Sequence, residues 1–221
     1  MNELLANLDW VEIGQACIDT LTMLALALGF TVLLGLPLGV LLYLTGKKQM
    51  HEKPGFYRFA SAVVNMLRSL PFIILLIVMI PLTTLLTGTS LGVAGAIPPL
   101  VAGCTPFFAR LVETALREVD RGLVEATQAM GASTWQIIWH TLLPEARTGL
   151  IAAVTVTAIV LVDYTAMAGV IGGGGLGDLA IRFGYQRFQT DVMVVTVALL
   201  ILLVQALQMS GDRLVIRYSR R

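Results

Sequence analysis

Forty-one consecutive residues, from Ser69 to Ala109, contain no charged side chain. As a single α-helix rising about 1.5 Å per residue, this stretch would reach roughly 60 Å. The hydrocarbon core of a bilayer is only about 30 Å thick. One straight helix does not fit, whereas two crossings joined by a turn do, and Thr87-Gly88-Thr89-Ser90 supplies that turn near the middle. The chain therefore reads as an integral membrane protein. Its composition agrees: 57% of its 221 residues are hydrophobic and 13% charged, against about a quarter charged in soluble domains.

The same reasoning along the chain predicts an all-α polytopic protein of about five crossings, near residues 20–44, 69–86, 91–112, 148–170 and 191–210. An odd number places the termini on opposite sides. Positive charge sets the orientation, because cytoplasmic segments retain Lys and Arg. Lys47, Lys48, Lys53, Arg58 and Arg68 follow the first crossing. Arg110, Arg117, Arg121 and Arg147 follow the third, and Arg213, Arg217, Arg220 and Arg221 close the chain. These are thirteen of the fifteen cationic residues, and only Arg182 and Arg187 fall on the other side. The expectation is an outside N-terminus and a cytoplasmic C-terminus. A secretory signal peptide is not expected, because Glu3, Asp9 and Glu12 carry the wrong sign for its leading region. Residues 1–221 read as one transmembrane domain, since the polar insertion between Arg110 and Arg147 is too short to bury a core. Without a convincing internal repeat, the sequence lacks a common mark of secondary transporters.

That insertion, residues 118–146, is written as two short helices. Asp120 can cap the first, and Gly131 can end it in a left-handed conformation. Ser133 and Gln136 form a capping box that starts the second. Pro144 should stop it by pushing Leu143 out of the helical region. Ala126, Ala129 and Ala132 keep the profile low, so that a partner can approach closely. The alternative reading is an ordinary interfacial loop.

The segment Glu125-Ala126-Thr127, Gly131, then Leu142-Leu143-Pro144 resembles the EAA loop of the ABC-importer permeases, with Thr127 in place of a second Ala and Thr141 in place of an Ile. Three further segments, Arg68 to Leu76, Thr105 to Arg110 and Gly172 to Gly177, are similar within that family to the methionine-importer permeases. The resemblance implies the ABC-importer permease fold, with no catalytic residue and no cofactor or metal in this chain. It implies a homodimer in membrane lipid, two cytoplasmic ATPase subunits that bind ATP and Mg, an external substrate-binding lipoprotein and no nucleic-acid partner. It implies location in a bacterial inner membrane. It makes Glu125, Ala126, Thr127, Gly131, Ala132, Trp135, Leu143 and Pro144 the residues that couple the permease to its ATPase. Another amino acid or small solute is the alternative cargo. An ion-coupled secondary transporter or channel and a membrane scaffold are the alternatives of other classes.

Gly172 to Asp178 has the glycine spacing of a phosphate loop but ends in Asp where Lys is required, so ATP hydrolysis must belong to another polypeptide. The run reads either as a pliable outer loop that shapes the mouth of the pathway or touches the binding protein, or as a flexible re-entry turn. Asp163 is the one carboxylate in the interior of a predicted crossing, away from its ends, and such residues face a bundle interior or a wet cavity. With Tyr164 and Met167 it is a candidate for the translocation pathway, the other readings being a polar partner on a neighbouring helix or a place near the outer interface. Met167 shares the face of Asp163 at i+4 and also suits a packed interface. Pro98, Pro99 and Pro106 should kink the third crossing. Arg110, Glu113 and Arg117 read as a solvated charge ladder, and Gln205 and Gln208 as interhelical hydrogen-bond formers. Cys17 and Cys104 read as buried free thiols, and with His51 and His140 they make no metal-binding spacing.

Overall fold

The computed structural model describes residues 9–219. Glu3, Arg220 and Arg221 lie outside the described residues. Among the described residues the chain is helical throughout, with no strand.

The first helix, α1, runs from Trp10 to Thr45. It begins well before the expected residue 20 because Asp9 caps it, its carboxylate accepting from the backbone N–H groups of Val11 and Glu12 at 2.9 and 3.3 Å. Glu12 in the first turn adds favourable charge at the positive helix end. The segment expected to be a polar cytoplasmic loop instead forms α2, Pro54–Ser69. Pro54 suits the first turn, where no N–H is needed. Phe56, Phe59, Val63, Met66 and Leu67 fall on one exposed stripe, the spacing of an amphipathic helix.

The expected second crossing, 69–86, is two short helices, α3 (Phe72–Val78) and α4 (Ile80–Thr87). Before α3, Pro71 holds Leu70 in an extended conformation (ψ 127°), so α2 and α3 meet at 100°. After α3, Met79 leaves the regular helix two residues ahead of Pro81, which has no N–H to continue the ladder. The third crossing is α5, Gly92–Arg117, a single helix that retains Pro98, Pro99 and Pro106 in its interior. The polar insertion supplies α6 (Arg121–Ala129), α7 (Thr134–Ile137) and α8 (Leu143–Glu145). Helix α9 (Arg147–Ala168) follows, then the short α10 (Gly175–Leu179) and finally α11 (Thr190–Tyr218). Helices α1, α5, α9 with its extension to Ile171, and α11 are long and apolar enough to cross a membrane, and the bent pair α2–α3 makes a fifth if it is taken as one span.

Helix α1 lies along α5 because two glycines remove the side chains that would keep them apart. A Cβ on Gly35 would lie 2.8 Å from the Phe108 ring, and one on Gly39 would lie 2.6 Å from the Ala109 carbonyl oxygen. This is the small-residue packing of membrane helices, in which dispersion contacts grow as backbones approach. A central core joins Met23, Leu24, Leu76, Leu100, Cys104 and Leu161. A second joins Tyr43, Phe108, Val112 and Leu116 to Val124, Ile137 and Leu142 of the insertion. A third, around Ile13, Leu176, Leu179 and Val192, closes the opposite end.

Much of the glycine run at that end is packed. Gly173, Gly175 and Gly177 are buried, and a Cβ on Gly175 would lie 2.6 Å from Thr20 Oγ1. The Leu176 N–H donates to the same Thr20 Oγ1 at 2.8 Å. Glycine is needed here for close backbone approach, with positive φ at Gly172, Gly174 and Gly175 as well.

Candidate functional site

The insertion after α5 is a rigid platform built by local signals. The Asp120 carboxylate accepts from the Gly122 N–H at 2.8 Å and starts α6. Gly131, at φ 84°, turns the chain after α6. Ser133 and Gln136 form the expected reciprocal capping box, with Ser133 N–H to Gln136 Oε1 at 2.8 Å and Gln136 N–H to Ser133 Oγ at 3.4 Å.

Pro144 does not end the second helix as expected. Leu143 keeps helical angles (φ −66°, ψ −43°), and the break falls at Ala146 (φ −76°, ψ 0°) instead. The turn before Pro144, Ile138–Leu142, is a π-helix. Its wider hydrogen-bond ring relieves the clash between the proline ring and the carbonyl four residues back.

The platform has a buried underside and an open top. Val124, Ile137, Ile138, Thr141 and Leu142 are buried, joined to the core around Leu116 and Tyr43. Glu125, Ala126, Gly131, Trp135 and Pro144 are exposed, while Thr127, Ala132 and Leu143 are half-buried. Glu125 pairs along its own helix with Arg121 at 3.4 Å. Trp135 is 66% exposed and Met130 80%, and large apolar side chains left this open mark an interaction surface. Trp139 packs edge-on against Trp135 with ring centroids 5.5 Å apart. Met130 and Trp139 escaped the sequence reading, although their type and proximity to Trp135 were visible.

Both departures from the EAA pattern meet in space. Thr127 Oγ1 donates to the Leu123 carbonyl at 2.7 Å and so can accept from Thr141 Oγ1, which lies 3.4 Å away. A second tie links His51 Nε2 to Thr134 Oγ1 at 2.9 Å, fastening the segment after α1 to α7.

Arg110, Glu113 and Arg117 are not a solvated ladder. Glu113 is 2% exposed. It takes an ion pair from Arg110 and two hydrogen bonds from Arg117, at 2.7 and 3.1 Å. The Tyr57 hydroxyl on α2 donates to it at 2.9 Å. Arg110 also reaches Asn65 Oδ1 at 3.1 Å. The cause is tertiary: α2 folds over this end of α5 and excludes water from the carboxylate.

The three pathway candidates divide between two faces of α9. Asp163 and Met167 are exposed one turn apart, and Asp163 has no hydrogen-bond or ion-pair partner among the described residues. Tyr164 turns inward and stacks on Phe72 of α3, with centroids 4.1 Å apart and planes 11° from parallel. Gln208 bonds Asp212 within its own helix at 2.9 Å and not a neighbouring helix, and Gln205 is exposed. Among the described residues no cluster of His, Cys, Asp or Glu suits a metal ion.

An open helix–glycine–helix platform fused to a bundle of apolar helices has clear relatives. The profile of the family described as "Binding-protein-dependent transport system inner membrane component" matches residues 35–221. The chain is 50% identical over 203 residues to the "Probable D-methionine transport system permease protein MetI" of Vibrio cholerae, covering 92% of this chain and 90% of that one. It is 46% identical over 206 residues to the "Methionine import system permease protein MetP" of Bacillus subtilis, covering 93% of each. A chain of the inward-facing MetNI methionine ABC transporter, in its CY5 native crystal form, superposes with a TM-score of 0.93 at 46% identity, covering 95% of this chain and 97% of that chain. This chain belongs to the family of binding-protein-dependent transport system inner membrane components.

Proposed function

We propose that this chain is the permease subunit of an ATP-driven importer of methionine, D or L, working as a homodimer with two cytoplasmic ATPase subunits and an external binding lipoprotein. The observation that carries the reading is the platform of α6 and α7, open on top with Met130 and Trp135 exposed yet packed below into the core it shares with α5. The methionine-transport relatives support the cargo. On this reading the platform, Glu125 to Trp135 with Leu143 and Pro144, seats against the ATPase. The N-terminus lies outside, and the C-terminus lies in the cytoplasm. The thirteen cations that the sequence gathers on alternate segments support that orientation.

The mechanism follows from rigidity. Nucleotide binding in the ATPase pair displaces the platform, and the core shared by Val124, Leu142 and Leu116 moves α5 with it. The bundle then passes between inward- and outward-open states whose balance is set by the nucleotide. Asp163 and Met167, exposed on α9, face the pathway between two copies. ATP and Mg belong to the partner subunits.

The test is reconstitution of the chain with its ATPase and binding protein in liposomes. ATP-dependent uptake of labelled methionine above other amino acids is expected, and equal uptake without the ATPase would overturn the reading. In the same assay Gly131→Val should separate hydrolysis from transport. A β-branched side chain in a left-handed conformation costs about 1–2 kcal/mol, and every 1.4 kcal/mol is a factor of about ten in an equilibrium. Methionine moved per ATP should fall roughly tenfold while the complex still assembles. Tight coupling in this variant would remove the platform from the mechanism.

A further inference from the structure

A small cavity lies where α2 bends into α3, about 100 Å³ in volume and lined by Arg68, Phe72, Leu75, Gly103, Phe107 and Tyr164 among others. The space exists because residue 103 has no side chain: a Cβ there would sit 3.3 Å from Leu75 and Phe72 and 3.4 Å from Tyr164. Three aromatic rings frame it, two of them in the Phe72–Tyr164 stack. The Arg68 guanidinium stands 5.7 Å from the centroid of the Phe107 ring. It is exposed and has no ion-pair partner among the described residues, unlike Arg110 and Arg117 nearby.

Free of any ion pair among the described residues, the Arg68 guanidinium beside this cavity is available to an anionic group of a ligand. Size narrows the ligand. An apolar cavity of about 150 Å³ holds benzene, so by proportion 100 Å³ takes about four non-hydrogen atoms. That matches the methionine side chain beyond Cα, and sulfur favours the edges of aromatic rings. The charged end would stay at the mouth, where the guanidinium fork suits a carboxylate.

We propose that the cavity at the α2–α3 bend is a substrate subsite inside the permease, in which Arg68 takes the carboxylate of a thioether amino acid and the Phe72, Phe107 and Tyr164 rings take its side chain. The proposal rests on the methionine-import reading above and adds the residues that hold the cargo. Tyr164 thereby gains its role through the ring it presents to α3, while Asp163 stays outside this lining.

The test is photolabelling of the reconstituted complex with a diazirine analogue of methionine, followed by mapping of the labelled peptides by mass spectrometry. Label on Phe72, Phe107 or Tyr164 is expected, displaced at least tenfold by excess methionine. Arg68→Gln should cut it at least fivefold, and Arg68→Lys should restore part of it. Arg68 is exposed and unpaired, so neither change threatens the fold. Methionine methyl ester should displace the label equally from wild type and Arg68→Gln, which only a carboxylate contact explains. Gly103→Ala, which narrows the cavity, should lower labelling with Arg68 intact.

ATP-dependent methionine uptake without label at these positions would overturn the subsite and leave the import reading standing. Label that yields to anionic lipid but not to methionine would assign Arg68 to a headgroup and also overturn it. A wild-type complex that neither takes up methionine nor labels would overturn both.

Discussion

Glu113→Ala is expected to yield a protein that inserts but loses the docking of α2. Its carboxylate is buried and receives Arg110, Arg117 and the Tyr57 hydroxyl. Removing one member of a buried ion pair typically costs about 3–5 kcal/mol, because the remaining charge is left without compensation. Arg110 and Arg117 keep part of their surface in contact with solvent, which places the expected loss near the lower end, about 3 kcal/mol. The thermal midpoint in detergent should fall clearly, and a protease should cut between Thr45 and Pro54 more readily. Tyr57→Phe, which removes one hydrogen bond to a charged group, should cost less, about 1.5–3 kcal/mol. If Glu113→Ala melted like wild type with α2 still protected, the network would be an exposed ladder after all.

Gly39→Val should be at least as damaging, for a steric reason. The new Cβ would lie 2.5 Å from Val112 Cβ and 2.6 Å from the Ala109 carbonyl oxygen. Neither can rotate away, since one belongs to a β-branched side chain and the other to the backbone of α5. Overpacking a core costs about 1–3 kcal/mol when neighbours can shift. Here the whole of α1 must move from α5, so the upper end or more is expected. Recovery of folded protein after extraction should drop several-fold. Gly29→Val is the control, because nothing lies within 4 Å of a Cβ at Gly29. It should stay within about 0.5 kcal/mol of wild type. Equal behaviour of the two variants would deny the glycine contact its importance.

The platform was legible in the sequence because its chemistry is local. Asp120, Gly131 and the Ser133–Gln136 box act within one or two turns, and each takes the expected conformation. Pro144 misled for a related reason. Proline's effect on its predecessor is a statistical preference, and the π-turn ahead of it offered another solution. The glycines of residues 172–177 were ambiguous in the sequence. Glycine serves both flexible turns and tight packing, and only the neighbours, Thr20 and Ala168 among them, show that packing prevails here.

What the sequence by itself determined is the environment and the punctuation: a long uncharged stretch that must cross lipid, cations gathered on alternate segments, and caps that place a hard turn in the polar insertion. These follow from transfer free energy and short-range backbone sterics, which read the same in any fold. Only the tertiary structure decided which charges lose water. Glu113 is buried by Tyr57, a residue 56 positions away in the chain, and Tyr164 finds its ring partner in Phe72 across a bend. Helical spacing reports neighbours on the same helix, whereas desolvation depends on the helix that comes to lie on top.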